Sequence, residues 1–326
     1  MTESQPDERD QTTEDVRPLM GVSRCLGFAP CRWDGAIVLS PEVAELAPYV
    51  ELRPICPEVE MGLGVPRDPI RIVSVQGVRR LVQPAPGRDL TEAIESVVRR
   101  CAADLAPADG LILKGRSPSC GLYDTRVYAS ASADEALDET SRGLFAAGML
   151  AHLPHLAVED EVGLRDPGRR DHFLTRLFAL ARYRVARAEG SPAALVRYQT
   201  ENKLLLMGYD KDRLGAMGRL VAAARERPMA ETLDAYAGHL HAALAEPARA
   251  STQINALMHA VGYLRESLTC RERADFLEML DGYRRGNVPL SACRALLASW
   301  VVRYGAPYLA RQTYLRPYPE ALVRAS

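Results

Sequence analysis

Three cysteines in this chain occupy settings from which they can share a ligand. Cys25 follows the apolar run LMGVS, Cys56 ends the run VELRPIC, and Cys120 follows GLILK through the short loop GRSPSC. Thiolate sulfur is a soft donor that suits zinc or an iron–sulfur cluster. Separations of 31 and 64 residues match no compact Cys-x-x-Cys motif, so these thiols can meet only through the fold. Glycine and proline crowd the three loops, GFAPCRWDG, CPEVEMGLGVPR and SPSCG. Such loops let backbone amides approach a bound group, and amides near cluster sulfurs tune an iron–sulfur centre. The plainer reading is three buried thiols beside ordinary turns. Cys31, six residues after Cys25, reads either as a fourth ligand or as a bystander. Three thiolates alone leave one metal position open, which is what catalysis at a metal needs. Cys101, Cys270 and Cys293 read as core or surface thiols.

Acid–base groups cluster in the same loops. Glu58 lies two residues after Cys56, Ser117 and Ser119 flank Pro118 just before Cys120, and Asp34 follows Cys25 in its loop. Each also reads as a capping group, since Ser, Asp and Glu near turns commonly take backbone N–H groups. Lys114 is near enough in sequence to steady an anion or simply to close the strand before it.

The elements that must position these residues alternate between strand and helix. Residues 18–23 and 50–55 read as strands. Ser40 followed by Pro41 reads as an N-cap with proline at the first helical position. Gln76-Gly77 reads as the turn of a hairpin joining 71–75 to 78–83. Asp89, with Glu92 three residues on, reads as a capping box opening a helix to about Leu105, and Gly110–Lys114 as a buried strand. The alternation predicts an α/β, Rossmann-like domain over 18–165 with a mainly parallel sheet. In such a sheet the carboxyl ends of the strands share one edge, where ligands bind. That edge is where Cys25, Cys56 and Cys120 would converge. After about residue 141 strand signals vanish. DPGRR (166–170) reads as a linker, and residues 168–326 as an all-α bundle of helices at roughly 171–189, 192–208, 211–226, 229–245, 250–268, 271–284 and 290–305.

Composition narrows the class. The chain has 326 residues, 47% of them hydrophobic, and no apolar run of the roughly 18 residues a membrane span requires. Residues 1–17 are polar and acidic and read as a disordered tail, not a secretory signal, so the chain is expected to be cytoplasmic and without a membrane partner. Seven cysteines, an odd number, in such a setting argue against a disulfide framework. The net charge of −1 conceals an asymmetry: residues 1–167 hold 17 basic against 27 acidic residues, and residues 168–326 hold 24 against 15. A basic half suggests an anionic partner such as RNA, or attraction between the two halves.

SRCLGFAPCRWDG, CPEVEMGLGVPR and ILKGRSPSCG resemble, in order, three motifs of the thiouracil desulfidase family. YQTENKLLLMGYD, INALMHAVGYL, YRRGNVPL and YLARQTYLRPYP resemble the YbgA-like domain. Together the resemblances span about residues 19–323, and the fused arrangement resembles bacterial enzymes that remove sulfur from 4-thiouridine in tRNA. The resemblance implies that Cys25, Cys56 and Cys120 hold a 4Fe-4S cluster in which one iron has no protein ligand, with Cys31 outside the set. It also implies that Glu58 is the acidic catalytic residue and that Ser117 or Ser119 is the catalytic serine. Trp33 stands where tyrosine is usual, Arg24 and Phe28 are unusual, and Tyr198 replaces a histidine.

The function expected is hydrolytic removal of sulfur from a thiolated uracil, in tRNA or as a small molecule, with Glu58 activating water and a serine relaying a proton. Arg182, Arg184, Arg187 and Arg197 would grip phosphate, and the region around Tyr314–Arg316 would stack bases. DNA is not expected as a partner. The rival readings are a free-base thiouracil desulfidase whose helical half only makes oligomers, and a zinc-stabilised RNA-binding protein without activity. The sequence leaves the oligomeric state open.

Overall fold

A computed structural model describes residues 16–324. The acidic stretch read as a tail lies, through residue 15, outside the described residues. In chain order the strands are β1 (Leu19–Ser23), β2 (Glu51–Ile55), β3 (Arg71–Val75), β4 (Val78–Gln83), β5 (Arg88–Asp89), β6 (Gly110–Leu113), β7 (Thr125–Tyr128), β8 (Ala136–Ser141) and β9 (Ala157–Asp160). Helices α1 (Pro41–Leu46), α2 (Pro57–Glu60), α3 (Thr91–Asp104) and α4 (Leu144–His152) lie among them. Then follow α5 (Pro167–Glu189), α6 (Pro192–Glu201), α7 (Lys203–Tyr209), α8 (Lys211–Ala222) and α9 (Met229–Ala243). The last four are α10 (Ala250–Gly262), α11 (Cys270–Arg284), α12 (Leu290–Tyr304) and α13 (Pro307–Ala310).

The chain forms two compact units, Arg17–Phe173 and the residues from Leu174 onward. No helix among the described residues is long and apolar enough to cross a membrane.

In the first unit, β1 and β6 are fully buried and apolar except for Ser23 at the end of β1, as the inner strands of a sheet covered on both faces must be. They form the middle of a four-stranded parallel sheet in the order β2-β1-β6-β9. The chain leaves β1 toward β2 and returns on the other side of β1 to make β6, so the strand order reverses between β1 and β6. A crevice opens at such a reversal, outside the carboxyl ends of the strands. Helices α3 and α4 bury Ile94, Val97, Val98, Phe145 and Met149 in the same core as Leu111 and Leu113.

A second sheet was not expected. It has five strands in the order β5-β4-β3-β7-β8, antiparallel except where β3 meets β7. The Gln76-Gly77 turn does join β3 to β4, with both residues at positive φ, 51° and 81°, as a two-residue hairpin turn of this hand requires.

Three local expectations are corrected. Asp89 is not the cap of a capping box. It pairs with Val82 as part of β5, and its Oδ1 accepts the Thr91 N–H at 2.9 Å, so α3 opens one residue later than read and Glu92 plays no capping part. DPGRR is not a linker: Asp166 Oδ1 accepts the Arg169 N–H at 2.8 Å and Pro167 begins α5, the same Asp/Ser-then-Pro start that opens α1. The boundary between the units falls inside this helix, at Phe173 and Leu174. Strands also continue past residue 141. β9 (AVED) was masked by its acidic end, yet Glu159 and Asp160 are buried there. The second unit is all α as expected, with the 192–208 helix broken at Asn202 into α6 and α7.

The first turn of α4 fixes the loop that carries Cys120. A helix start leaves backbone N–H groups without helical partners. Here Leu144 N donates to Pro118 O at 3.0 Å and Ala146 N to Ser119 O at 3.1 Å. Glycine at 143 is required by this contact, because a Cβ there would run into the Ser119 carbonyl and the Cys120 amide. Gly143→Ala is expected to destabilise the protein by about 1–3 kcal/mol, the usual cost of overpacking. Gly238, exposed within α9 with nothing near its missing Cβ, is the counter-case: Gly238→Ala should stabilise by up to about 1 kcal/mol. Denaturant unfolding of the two variants checks both signs.

Candidate functional site

The strand ends deliver the thiols to one place. Arg24 N donates to Ile55 O at 2.7 Å, clamping the exits of β1 and β2 together. Cys25 lies just past β1, Cys56 occupies the N-cap position of α2 with its thiol not used in capping, and Cys120 follows β6. All three line a cavity of about 370 Å³ together with Cys31, Glu58 and Lys114. The fourth thiol is therefore adjacent to the others, with the Cys31 carbonyl accepting from Cys56 Sγ at 3.7 Å.

Glu58 is the most constrained acid–base group of this cavity. Arg67 donates to its Oε2 through Nε at 2.9 Å and Nη2 at 2.6 Å, and Ser119 Oγ donates to its Oε1 at 3.1 Å. The same guanidinium donates to the Cys31 carbonyl at 2.9 Å and the Gly64 carbonyl at 2.7 Å. Side-chain exposure is 3% for Arg67 and 14% for Glu58, so the pair is shielded from water while the carboxylate still reaches the cavity. Arg67 ends the motif CPEVEMGLGVPR and carries no role in the reading of the sequence. The signal was a lone arginine ending a loop that otherwise holds only carboxylates and apolar residues.

The two serines separate. Ser117 Oγ accepts the N–H groups of Ser119 at 3.3 Å and Cys120 at 3.1 Å, a turn-capping role. Ser119 is wholly buried and is the one that meets Glu58. Asp34 is drawn away by Arg32 at 3.1 Å and by the Ala36 N–H at 3.0 Å, and the Arg32 hydrogen bond holds its carboxyl below the usual range. Lys114 lines the cavity while paired to Glu161 at 2.6 Å.

The thiols share one electrostatic condition. Burial, reinforced by the charge of Cys56, pushes Cys25 up to about 11, with Lys114 pulling the other way. Burial, then Cys56, pushes Cys31 up to about 12, and burial, then Cys25 and Glu58, pushes Cys120 well above the ordinary thiol value. Several thiolates here need a positive partner, and a bound metal centre provides one by driving deprotonation. Among the described residues no three His, Cys, Asp or Glu side chains converge closely enough to hold a single ion. Three thiolates lining one cavity are a soft donor set that suits an iron–sulfur core.

In the second unit the expected phosphate contacts are redistributed. Arg182 is buried and donates to Pro317 O at 3.0 Å, and burial lowers its pKa to about 10. Arg187 pairs with Asp234, and Arg197 with Glu189 at 2.5 Å. Tyr314 is fully buried, bonded to Gln253 Oε1 at 2.8 Å, and is no stacking platform. Tyr198, at the position of the expected histidine, is also buried and donates to Ala179 O at 3.1 Å. Arg219, Arg225, Arg227, Arg265, Arg311 and Arg316 are exposed.

Comparisons with known proteins agree with this division. A family model described as 2-thiouracil desulfurase matches residues 20–161, and one described as a protein of unknown function, DUF1722, matches residues 203–319. The uncharacterized protein YbgA of Escherichia coli K12 is 27% identical over 154 residues, covering 47% of this chain and 91% of that protein. The uncharacterized protein YbbK of Bacillus subtilis 168 is 34% identical over 108 residues, covering 31% of this chain and 71% of that protein. Among solved structures, the 4Fe-4S-dependent thiouracil desulfidase TudS is similar at 26% identity and a TM-score of 0.38, covering 46% of this chain and 94% of the other.

The raised thiols make a direct expectation. In metal-free protein at pH 8, burial of Cys25, Cys31 and Cys120 leaves each with less reactive thiolate than an ordinary exposed thiol has. Iodoacetamide should therefore modify exposed Cys270 first, and these three at least about tenfold more slowly. Peptide mass spectrometry over time checks this, and equal rates would show the cavity to be solvated.

Proposed function

This chain belongs to the 2-thiouracil desulfurase family through residues 20–161 and carries a DUF1722, YbgA-like region over 203–319, and from that premise we propose that it removes sulfur from a thiolated uracil by hydrolysis. The observation that carries the reading is the convergence of Cys25, Cys56 and Cys120 on one cavity with a half-buried, ion-paired Glu58. A 4Fe-4S cluster held by these three cysteines would supply a soft Lewis acid for the substrate sulfur.

The rest of the reaction falls to side chains. Replacing sulfur by oxygen at the ring carbon consumes one water and releases hydrosulfide, with no net change in oxidation state. Glu58 accepts the proton of the attacking water. A carboxylate has about four acceptor sites, so the contacts from Arg67 and Ser119 orient Glu58 without exhausting it. Ser119, wholly buried and bonded to Glu58, holds that carboxylate in place, while Ser117, which lines the cavity, keeps the Cys120 loop folded. Lys114 offsets negative charge beside Cys25. Arg67 keeps the ionised Glu58 in place as the proton moves.

The substrate we propose is a thiolated base in tRNA, most readily 4-thiouridine. The support is the charge of the second unit, 22 basic against 14 acidic residues over 174–326, with its exposed arginines as phosphate contacts in place of the buried or paired ones. A base in a folded RNA has to be unstacked to enter a cavity of this kind.

Anaerobic protein should release sulfide from thiolated tRNA faster than from free thiouracil. Glu58→Gln keeps size and hydrogen bonding but removes basicity. It should keep full cluster absorbance and lose at least about a hundredfold in rate, the lower end of general-base assistance. Near-normal turnover of Glu58→Gln would place the base elsewhere, and preference for free thiouracil would assign the helical unit another task.

A further inference from the structure

Three ligands leave one thiol of the cavity without a task. Cys31 is buried and lines the same cavity as Cys25 and Cys56, yet it stands outside the proposed ligand set. We infer that Cys31 is a resolving thiol for Cys56: when the cluster is lost, a peroxide oxidises the two to a Cys31–Cys56 disulfide, which keeps a ligand position in reversible form until a thiol reductant reopens it. The inference rests on the proposal that Cys25, Cys56 and Cys120, and not Cys31, hold the cluster.

Geometry selects the pair. Cys56 Sγ lies 3.7 Å from the Cys31 carbonyl oxygen, across 25 residues of sequence. After burial, Cys56 is the group that bears most on the Cys31 thiol, through its charge and a side-chain hydrogen bond, and Cys25 comes after it. Both backbones are held in place. Arg67 Nη2 donates to the Cys31 carbonyl at 2.9 Å, and Cys31 N donates to Ala29 O at 2.8 Å. Cys56 sits at the N-cap of α2, where its thiol takes no capping hydrogen bond, so turning that side chain disturbs nothing at the helix start. A disulfide needs its sulfur atoms about 2 Å apart, and two thiols on fixed loops facing one cavity approach that by rotation about their side-chain bonds.

The chemistry closes on the two thiols and one peroxide. Hydrogen peroxide takes one thiol of the pair to a sulfenic acid and leaves as water. The other thiol then attacks that sulfur, the S–S bond forms, and the hydroxyl departs with the remaining thiol proton as a second water. The two sulfurs together give up two electrons, which reduce the O–O bond. Burial slows the first step, because the thiolate is the nucleophile, while adjacency makes the second effectively unimolecular. Without a resolving thiol a sulfenic acid goes on to sulfinic and sulfonic acids, which thiol reductants do not reverse. A ligating Cys56 is not available to Cys31, so the disulfide forms only once the cluster has gone, and it blocks reassembly until it is reduced.

The test reads the linkage itself and needs no turnover. Full-length protein is stripped of its cluster by chelation under anaerobic conditions, treated with hydrogen peroxide, blocked with iodoacetamide and mapped by peptide mass spectrometry without reductant. Wild type should show Cys31 joined to Cys56, and dithiothreitol should then restore its uptake of iron and sulfide. Cys31→Ala should instead carry Cys56 as sulfinic or sulfonic acid and lose that recovery, although the same variant kept from peroxide reconstitutes normally. Cys25→Ala should still form the Cys31–Cys56 link. A wild type in which Cys31 stays unpaired or joins Cys25, or a Cys31→Ala variant that recovers as well as wild type, overturns the inference. Failure of unexposed Cys31→Ala to take up a cluster overturns it as well, by making Cys31 a ligand. A Cys31–Cys56 link in a protein that takes up no cluster under any reconstitution would sink the iron–sulfur reading while leaving the thiol pair standing. A normal cluster without the link would do the reverse.

Discussion

The guanidinium of Arg67 is the point at which the loops of this site are tied together. It donates to Glu58 from the second cysteine loop, to the Cys31 carbonyl from the first, and to Gly64 in its own turn. Glu58 in turn receives Ser119 from the third loop. Glu58 is half-buried at the cavity wall, and a partly desolvated carboxylate that loses its partners is left with unmet hydrogen-bonding capacity. The ion pair and the Ser119 hydrogen bond therefore tie the three loops to one another across the cavity.

The parallel sheet sets where the closure happens. With β1 and β6 adjacent and the chain running outward from them in opposite directions, the loops after β1, β2 and β6 must emerge at one edge. The clamp from α4 onto Pro118 and Ser119 then fixes the third loop against a helix rather than leaving it to its own turn. Burial makes the same place hostile to unpaired thiolates. The pocket is therefore suited to a cationic core bound by sulfur.

Much of this was legible in the sequence, for identifiable reasons. Strands β1 and β6 are short, largely apolar runs and β2 is a more polar edge strand, each with loop residues after it, and the placement of Cys25, Cys56 and Cys120 at one edge follows from their parallel order. Ser40-Pro41 and Gln76-Gly77 are local signals, decided within a few residues, and both hold. What escaped needed long-range information. β9 ends in Glu159 and Asp160, whose burial is satisfied by Arg169 and by loop amides, so its pattern looks polar. Arg182 and Tyr314 read as surface recognition residues because arginine and tyrosine usually are, but both are absorbed into the helical core. The partition of Ser117 and Ser119 could not be read from SPSC, since only the position of Glu58, 61 residues away, decides which hydroxyl has a carboxylate to meet.

We propose that Cys25, Cys56 and Cys120, and not Cys31, hold one iron–sulfur cluster. Iron and acid-labile sulfide per chain, measured in anaerobic preparations of the wild type and of the four single Cys→Ala variants, test it directly. The account predicts about four irons and four sulfides in the wild type. Cys31→Ala should give nearly the same values, and each of the other three should lose most of both. Stoichiometric zinc without iron in the wild type, or a normal cluster in Cys120→Ala, would contradict it.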